Sequence, residues 1–597
     1  LTLRAALDGW STDQEERASL DTEGKTQRDL WSVAGLALLG ALLYGAALPP
    51  IAWSGNAWAA LLPWSIIVAL PRQLSWREWR WIWLAAWLLW LGLLYFIPIP
   101  HPALWLFWPL LAAYCALYIP AFIAAARWLH FLGRLPLCLA VPISWAGLEW
   151  VRGNFLTGFA MGFLSHSQFR QPLVIQVAEL GGAYLLSFLL AMCAAFAARG
   201  VMLEQQLRAN SAELDRRQTK RSMLLQIAGV LAVFLGVCFY GAGLLGGFSG
   251  KLTAEKKSQL KEEAAKQAGL QALVIQGSID TTFPETREEV EQVFASQFQQ
   301  YRDLTIAARK EFPEAQLVIW PETIFVQPLF LPAELEREVD AQQAALFEQA
   351  RREFSLCFQA SMGALPREDE TEPACQNCLP LLTGVSAHDL QTSLSYNSVG
   401  LIGESCEVVA RYDKMHRVIV GEYLPFGEWF PWIYRFTPVG RGIAQGRAAV
   451  AMELGGVRLC PSICFESTVP HLIRRQVQEL AAAGKEPDVL VNPTNDGWFF
   501  GTSCLDLHLA CNVFRAVEMR KPMVVAANTG FSAWIDPQGR ILEQGPRRAT
   551  GYFPVSLQRS GGKLSGYRII GDWPWLLCGL ASVAALIATW RSPIFSA

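Results

Sequence analysis

The sequence predicts a multi-pass α-helical membrane domain of about eight spans, joined to an extracytoplasmic α/β sandwich. Three observations predict it. Apolar residues are concentrated in 31–248 and 573–592, whereas 251–565 has the composition of an ordinary globular domain. From 270 onward, short β-rich runs alternate with helical periodicity, the pattern of a layered α/β fold. Lys and Arg gather in every second loop between the apolar stretches, which sets the side on which the globular part lies. The 597 residues are 52% hydrophobic, with 24 Trp, and 17% charged against roughly 25% in a soluble domain. A net charge of −2 gives no global electrostatic reason to bind nucleic acid.

Given that about 20 apolar residues cross a bilayer, spans are expected near 31–49, 56–71, 80–97, 103–126, 135–152, 172–198, 223–247 and 573–592. The third and fourth are separated only by the Pro-rich turn "IPIPHP". With the N-terminus inside, the inner segments hold Arg4, Arg17, Lys25 and Arg28, then Arg72, Arg77 and Arg80, then Arg127 and Arg134. The last inner loop holds Arg199, Arg208, Arg216, Arg217, Lys220 and Arg221, while the short outer loops carry only Arg152 and Arg170. The positive-inside rule therefore places the globular part outside the cytoplasm, between the seventh and eighth spans. The first span is expected to act as the targeting signal. The expected organisation is a cytoplasmic tail over 1–29, a membrane domain of about seven spans over 30–248, a globular domain over 249–565 and a C-terminal transmembrane segment over 566–597.

In the globular part "ALVIQG" (272–277), "QLVIWP" (316–321), "NSVGLIG" (397–403), "VRLCPSIC" (457–464), "DVLVNP" (488–493) and "PMVVAAN" (522–528) read as strands. They are short, β-branched and closed by Gly, Pro or Asn. Val290, Val293, Phe294, Phe298, Tyr301 and Leu304 recur at three and four residues and predict a helix near 286–311. Ser467 or Thr468 is expected to cap a helix running to about 483, with Pro470 in its first turn. "CLDLHLACNVFRAVEMR" (504–520) predicts another helix. Residues 327–395 read as a long loop flanked by a helix near 333–353. "GRGIAQG" (440–446) misses the dinucleotide-binding spacing and does not follow a clear strand. Cys375 and Cys378 form a lone CxxC without the second pair a zinc site requires. In an oxidising compartment a disulfide can form among Cys357, Cys375 and Cys378, and unpaired structural cysteines are the alternative.

Strand ends deliver polar residues: Glu322 in "VIWPET", Lys414 in "RYDKMHRV" and Cys464 in "PSICFEST". Sites in α/β folds assemble at strand ends. A cysteine attacks only as the thiolate, so it needs a base or a positive charge beside it. A glutamate supplies the base, and a lysine supplies the charge and stabilises an oxyanion. The backbone N–H of Phe465 is a second candidate oxyanion donor. Taken singly these residues are unremarkable. A lone cysteine in an apolar strand is usually core, a glutamate after proline usually starts a helix, and a lysine in a hairpin is usually solvated.

Together "IWPET", "RYDKMHRV", "ICFES", "NPTNDGWFFG" and "AANTGFSAWIDPQGRIL" resemble the carbon–nitrogen hydrolase (nitrilase) superfamily. That superfamily carries a Glu-Lys-Cys triad on an α-β-β-α sandwich. With spans before and after the sandwich, and "EWVRGNFLTGF" (149–159) following the fifth, residues 30–592 resemble the apolipoprotein N-acyltransferase family. The resemblance implies Glu322 as general base, Lys414 as oxyanion lysine and Cys464 as nucleophile, with Glu466 in the site. A further family glutamate falls eight residues after the lysine, on Glu422, although a "PFGE" at 425–428 offers Glu428 instead. Phe465 stands where family members carry Tyr, and Ala160-Met161 where they often carry Pro-Trp. The implied reaction is acyl transfer from a membrane phospholipid, through a cysteine thioester, to the N-terminal amine of a diacylglyceryl-cysteine lipoprotein. It implies no cofactor or metal, and a multi-pass protein of the bacterial inner membrane with its catalytic domain on the periplasmic side. Trp429, Phe430, Trp432, Trp498, Phe499 and Phe500 are candidate interfacial aromatics at the entrance.

Two other readings share parts of this pattern. A membrane-tethered amidase or nitrilase would use the same triad with water as the second nucleophile. A non-enzymatic transporter or scaffold would depend on intramembrane charges, for which Glu149 and Glu179 are the candidates.

Overall fold

The computed structural model describes residues 32–209, 213–247, 252–267, 269–281, 286–325, 327–331, 341–363, 378–389, 392–427, 429–436, 442–559, 561 and 563–591. The expected tail over 1–29 lies outside them.

The apolar stretches are helical: α1 (Val33–Ala47), α2 (Leu62–Ala69), α3 (Trp76–Leu93), α4 (Leu104–Ala116), α5 (Tyr118–Phe131), α6 (Leu137–Asn154), α7 (Ala178–Ala209) and α8 (Glu213–Leu245). Among the described residues four helices are long and apolar enough to cross a membrane: Leu104–Phe131, Ala178–Arg208, Arg216–Leu245 and Trp573–Trp590. The expected second span shrinks to α2, eight residues with Pro63 in its first turn. Polar side chains within α3 and α6, among them Arg77, Glu78, Glu149 and Arg152, interrupt their apolar runs. Arg152 folds back onto the loop after α6, donating to the carbonyls of Phe159 at 3.0 Å and Met161 at 2.9 Å, so Ala160 and Met161 are buried there.

The rest is an α-β-β-α sandwich. Its strands are β1 (Leu270–Gln276), β2 (Leu317–Ile319), β3 (Leu329–Leu331), β4 (Leu381–Asp389), β5 (Leu394–Ile402), β6 (Val408–Asp413), β7 (Met452–Leu454), β8 (Val457–Pro461), β9 (Val489–Thr494), β10 (Met523–Ala527), β11 (Ala533–Ile535), β12 (Ile541–Gln544) and β13 (Gly551–Leu557). One sheet runs β13-β1-β2-β4-β5-β6, with β3 also paired to β4, and the other runs β12-β11-β10-β9-β8-β7. Period-two alternation explains the layers. Leu270, Ala272 and Val274 of β1 face the other sheet, meeting Leu459, Val491 and Val524 in one core. Leu273 and Ile275 face outward, onto Tyr301 and Ala308 of α9 (Arg287–Glu311) and Phe354 and Phe358 of α10 (Ala341–Ser361). The opposite outer layer is α11 (Pro470–Ala482) and α12 (Cys504–Met519). The chain returns through α13 (Trp573–Arg591).

Three expectations need correction. Residues 327–395 are not mainly a loop, because they supply β3, α10 and the central strand β4. The helix placed near 333–353 runs to Ser361, since Phe354 and Phe358 keep its apolar face on the core. Neither Ser467 nor Thr468 caps α11, whose N-cap is Val469. Both hydroxyls are used within the preceding 3₁₀ turn, Thr468 Oγ1 donating to the Phe465 carbonyl at 2.7 Å. Cys357 is free, whereas Cys378 is disulfide-bonded to a partner outside the described residues.

The sandwich is seated directly on the helices. The Ser503 N–H donates to Tyr95 at 3.2 Å, the Ala183 N–H donates to Glu518 at 2.8 Å, and Arg520 pairs with Glu179. Phe514 and Val513 of α12 share a single apolar core with Trp90, Phe163 and Tyr184 of the membrane half.

Candidate active site

Strand direction explains why distant residues meet. β2 and β4 are parallel, and β5 is antiparallel to both β4 and β6. β6 therefore runs in the same sense as β2, and Glu322, just past β2, emerges at the same end of the sheet as Lys414, just past β6. Lys414 Nζ lies 3.3 Å from Glu322 Oε1 and 2.6 Å from Glu422 Oε1. Asn397 of β5 donates to both carboxylates, at 2.7 Å and 3.2 Å. Glu322 Oε2 also accepts the Asn495 N–H at 3.0 Å, from the end of β9 in the second sheet. Gly384 makes room for the Glu322 turn, since a Cβ there would stand 2.5 Å from Glu322 Cα.

Lys414 is 1% exposed and Glu322 6%. Burial opposes the ammonium, but Glu322 and Glu422 override it and hold Lys414 well above the ordinary lysine pKa. The lysine is thus a permanent cation in a place where water cannot screen it.

Cys464 follows β8 and opens a 3₁₀ turn over Cys464–Thr468. Its φ of 50° is left-handed, a conformation a non-glycine residue keeps only when its surroundings enforce it. Burial pushes its thiol well above the ordinary cysteine value, Glu322 adds to this, and Lys414 opposes it. The resting sulfur is therefore a neutral thiol that becomes a nucleophile only as its proton leaves. The first bond of the turn runs from the Glu466 N–H to the Ile463 carbonyl, so the Phe465 N–H stays outside the turn's own ladder.

Glu466 is fully buried. It accepts the N–H groups of Ile463 at 2.7 Å, Met415 at 2.6 Å and His416 at 2.8 Å, and the Tyr412 hydroxyl at 2.9 Å. It ties the cysteine's turn to the lysine's strand end. Burial pushes its pKa up to about 7, against the pull of the Ile463 N–H and Lys414. Glu422 also accepts the Val418 N–H at 2.8 Å, and Glu428 lies outside the described residues. The aromatics divide: Trp429, Phe430 and Trp432 are at least half exposed, whereas Phe499 packs edge-on against Phe96 at 5.5 Å.

Asn397, His508 and Asp496 were not singled out in the sequence. The first lies at the edge of the strand-like run "NSVGLIG" and the others within "NPTNDGWFFG" and the 504–520 helix, where nothing in the spacing marks them.

An α-β-β-α sandwich with a buried carboxylate–lysine cluster beside a strained cysteine defines the carbon–nitrogen hydrolase superfamily, and residues 271–563 match the carbon-nitrogen hydrolase family. Residues 40–196 match the apolipoprotein N-acyltransferase N-terminal domain. With both parts in one chain, the protein belongs to the apolipoprotein N-acyltransferase family. An apolipoprotein N-acyltransferase of Rhodopirellula baltica is 28% identical over 572 residues, covering 90% of this chain and 94% of the relative. One from Geobacter metallireducens is 27% identical over 572 residues, covering 94% and 96%. Among solved structures, Saccharomyces cerevisiae Nit3 of the nitrilase superfamily aligns with 14% identity and a TM-score of 0.33, covering 48% of this chain and 90% of that one.

Proposed function

We propose that this protein moves an acyl chain from a membrane phospholipid to the N-terminal amine of a diacylglyceryl-cysteine lipoprotein, with Cys464 carrying the acyl group as a thioester. The observation that carries the reading is the Glu322–Lys414–Glu422 cluster beside the left-handed Cys464, in a sandwich seated on apolar helices. A soluble hydrolase has no use for such a seat. A lipid-consuming enzyme needs its nucleophile at the bilayer surface.

The Cys464 thiol gives its proton to Glu322 as sulfur attacks the sn-1 ester carbonyl. Lys414 and the Phe465 N–H hold the oxyanion. When the tetrahedral adduct collapses, the C–O bond breaks and Glu322 returns the proton to the departing lysophospholipid hydroxyl. The lipoprotein amine then attacks the thioester, Glu322 takes its proton, a C–N bond forms, and sulfur leaves to be reprotonated. Glu422 keeps Lys414 charged and aimed, and Glu466 fixes the distance between lysine and cysteine. The helices form about eight spans, with the sandwich on the periplasmic side of the bacterial inner membrane, as the Lys and Arg asymmetry supports. The exposed aromatics of 426–432 meet the lipid surface there.

The test is to incubate the purified full chain with phospholipid labelled in its sn-1 chain. A hydroxylamine-sensitive label on Cys464, discharged onto a diacylated lipopeptide, is expected. Discharge to water alone would identify the amidase-like reading, and no label on Cys464 would end both.

A further inference from the structure

Behind the nucleophile lies a pair that the mechanism above does not use. His508 of α12 is 3% exposed, and its Nε2 is 3.0 Å from the Cys464 carbonyl oxygen and 3.0 Å from Ser467 Oγ. Its Nδ1 is 3.0 Å from Asp496 Oδ1 and 3.3 Å from Oδ2. A carbonyl oxygen and a carboxylate can only accept, so this geometry asks both ring nitrogens to carry hydrogen. Asn492 Nδ2, at 3.2 Å, and Ser467 Oγ, at 3.3 Å, also donate to the same carbonyl.

The Cys464 carbonyl and the Phe465 N–H belong to one peptide group, and in a trans peptide they point in opposite directions. Holding the carbonyl against His508 therefore aims the Phe465 N–H away from α12, toward the side where an oxyanion forms. A cation on the carbonyl also polarises the group and strengthens that N–H as a donor. We infer that His508, held by Asp496, is a positioning residue that sets and polarises the oxyanion-binding peptide Cys464–Phe465 and maintains the left-handed cysteine. This inference rests on the acyl-transfer reading and deepens it.

Its titration is set by the groups that face it. Asp496 comes from the turn after β9, Cys464 and Ser467 from the 3₁₀ turn, and Glu322 from the first sheet. Asn512, on its own helix, is neutral and donates to the His508 carbonyl at 3.2 Å. Asp496 is also felt by Cys504, a buried thiol at the start of α12, and Lys414 is the other cation acting on Cys464. Burial disfavours the imidazolium, but Asp496 and the Cys464 carbonyl override it and raise His508 above the ordinary histidine value. As pH rises through that value the donor is lost, which predicts an alkaline fall in kcat.

The test uses the full chain in detergent with sn-1-labelled phospholipid, comparing wild type with His508→Leu, His508→Gln and Asp496→Asn. His508→Leu is expected to lower kcat about tenfold or more, short of the roughly 100-fold or greater loss of an oxyanion donor itself, with KM within about twofold. His508→Gln keeps a neutral donor, so it should recover most of the rate and lose the alkaline limb. Asp496→Asn should move that limb to lower pH. A His508→Leu rate equal to wild type, or equal losses in the Leu and Gln variants with the pH limb unmoved, overturns the inference and leaves the pair a packing element. If wild type itself forms no hydroxylamine-sensitive adduct, the acyl-transfer reading fails instead.

Discussion

Glu466 accepts the Met415 N–H at 2.6 Å, so a carboxylate on the nucleophile's turn grips the residue next to the lysine. Replacing it with alanine strands the N–H groups of Ile463, Met415 and His416, which it now satisfies together. The expected cost is about 3 kcal/mol or more, read as a lowered unfolding midpoint. Glutamine should cost less stability than alanine, yet still slow Cys464 acylation, because one amide cannot accept on both sides.

Lys414 is the only cation hydrogen-bonded to Glu322 and Glu422 among the described residues. Lys414→Met leaves two carboxylates sharing Asn397 with no positive charge between them, a loss of about 3–5 kcal/mol for a broken buried pair. Because Lys414 is the charge that pulls the Cys464 thiol down, the variant should also alkylate more slowly at Cys464 with iodoacetamide, followed by peptide mass spectrometry. Alkylation at the wild-type rate would remove Lys414 from the thiol's environment.

Burial raises Glu466 and Glu518 to about 7. Both release their protons near 4.5 in the unfolded chain. Between these values the native state holds protons that the unfolded state has lost, so stability falls as pH rises from 4.5 and levels off above about 7. Each group contributes at most about 3 kcal/mol to that fall. Melting temperatures across pH 4.5–8 should show the decline, and Glu518→Gln should flatten it.

Phe426, Trp429 and Trp432, the last in the 3₁₀ turn Pro431–Phe436, are 65%, 75% and 57% exposed. Changing all three to serine should raise KM for vesicle phospholipid severalfold and leave kcat nearly unchanged, if their exposed rings serve lipid contact and not the chemistry. An equal fall in kcat would place them at the chemistry instead.

The two-part organisation and six of the thirteen described strands were legible in the sequence, because β-branched runs closed by breakers and long apolar stretches are local signals. β4 was not, because "LLTGVSAHD" follows a polar stretch and its pairing with β2 and β5 is long-range. Glu322, Lys414 and Cys464 stood out by motif, whereas Glu466's inward turn was not foreseeable from the residue's position two after the cysteine. Asn397 and His508 act through neighbours that only the folded sheets bring to them. Spacing also favoured Glu422, which lies against Lys414, whereas Glu428 falls outside the described residues.

Phe514 and Val513 lie in the same apolar core as Trp90, Phe163 and Tyr184. The sandwich has thus given up one of its outer surfaces to the membrane half. A version cut free of its helices would turn greasy side chains toward water and clump. Any free-living descendant of this enzyme would first have to repave that underside with polar groups, so loss of the anchor and gain of solubility are not a single evolutionary step.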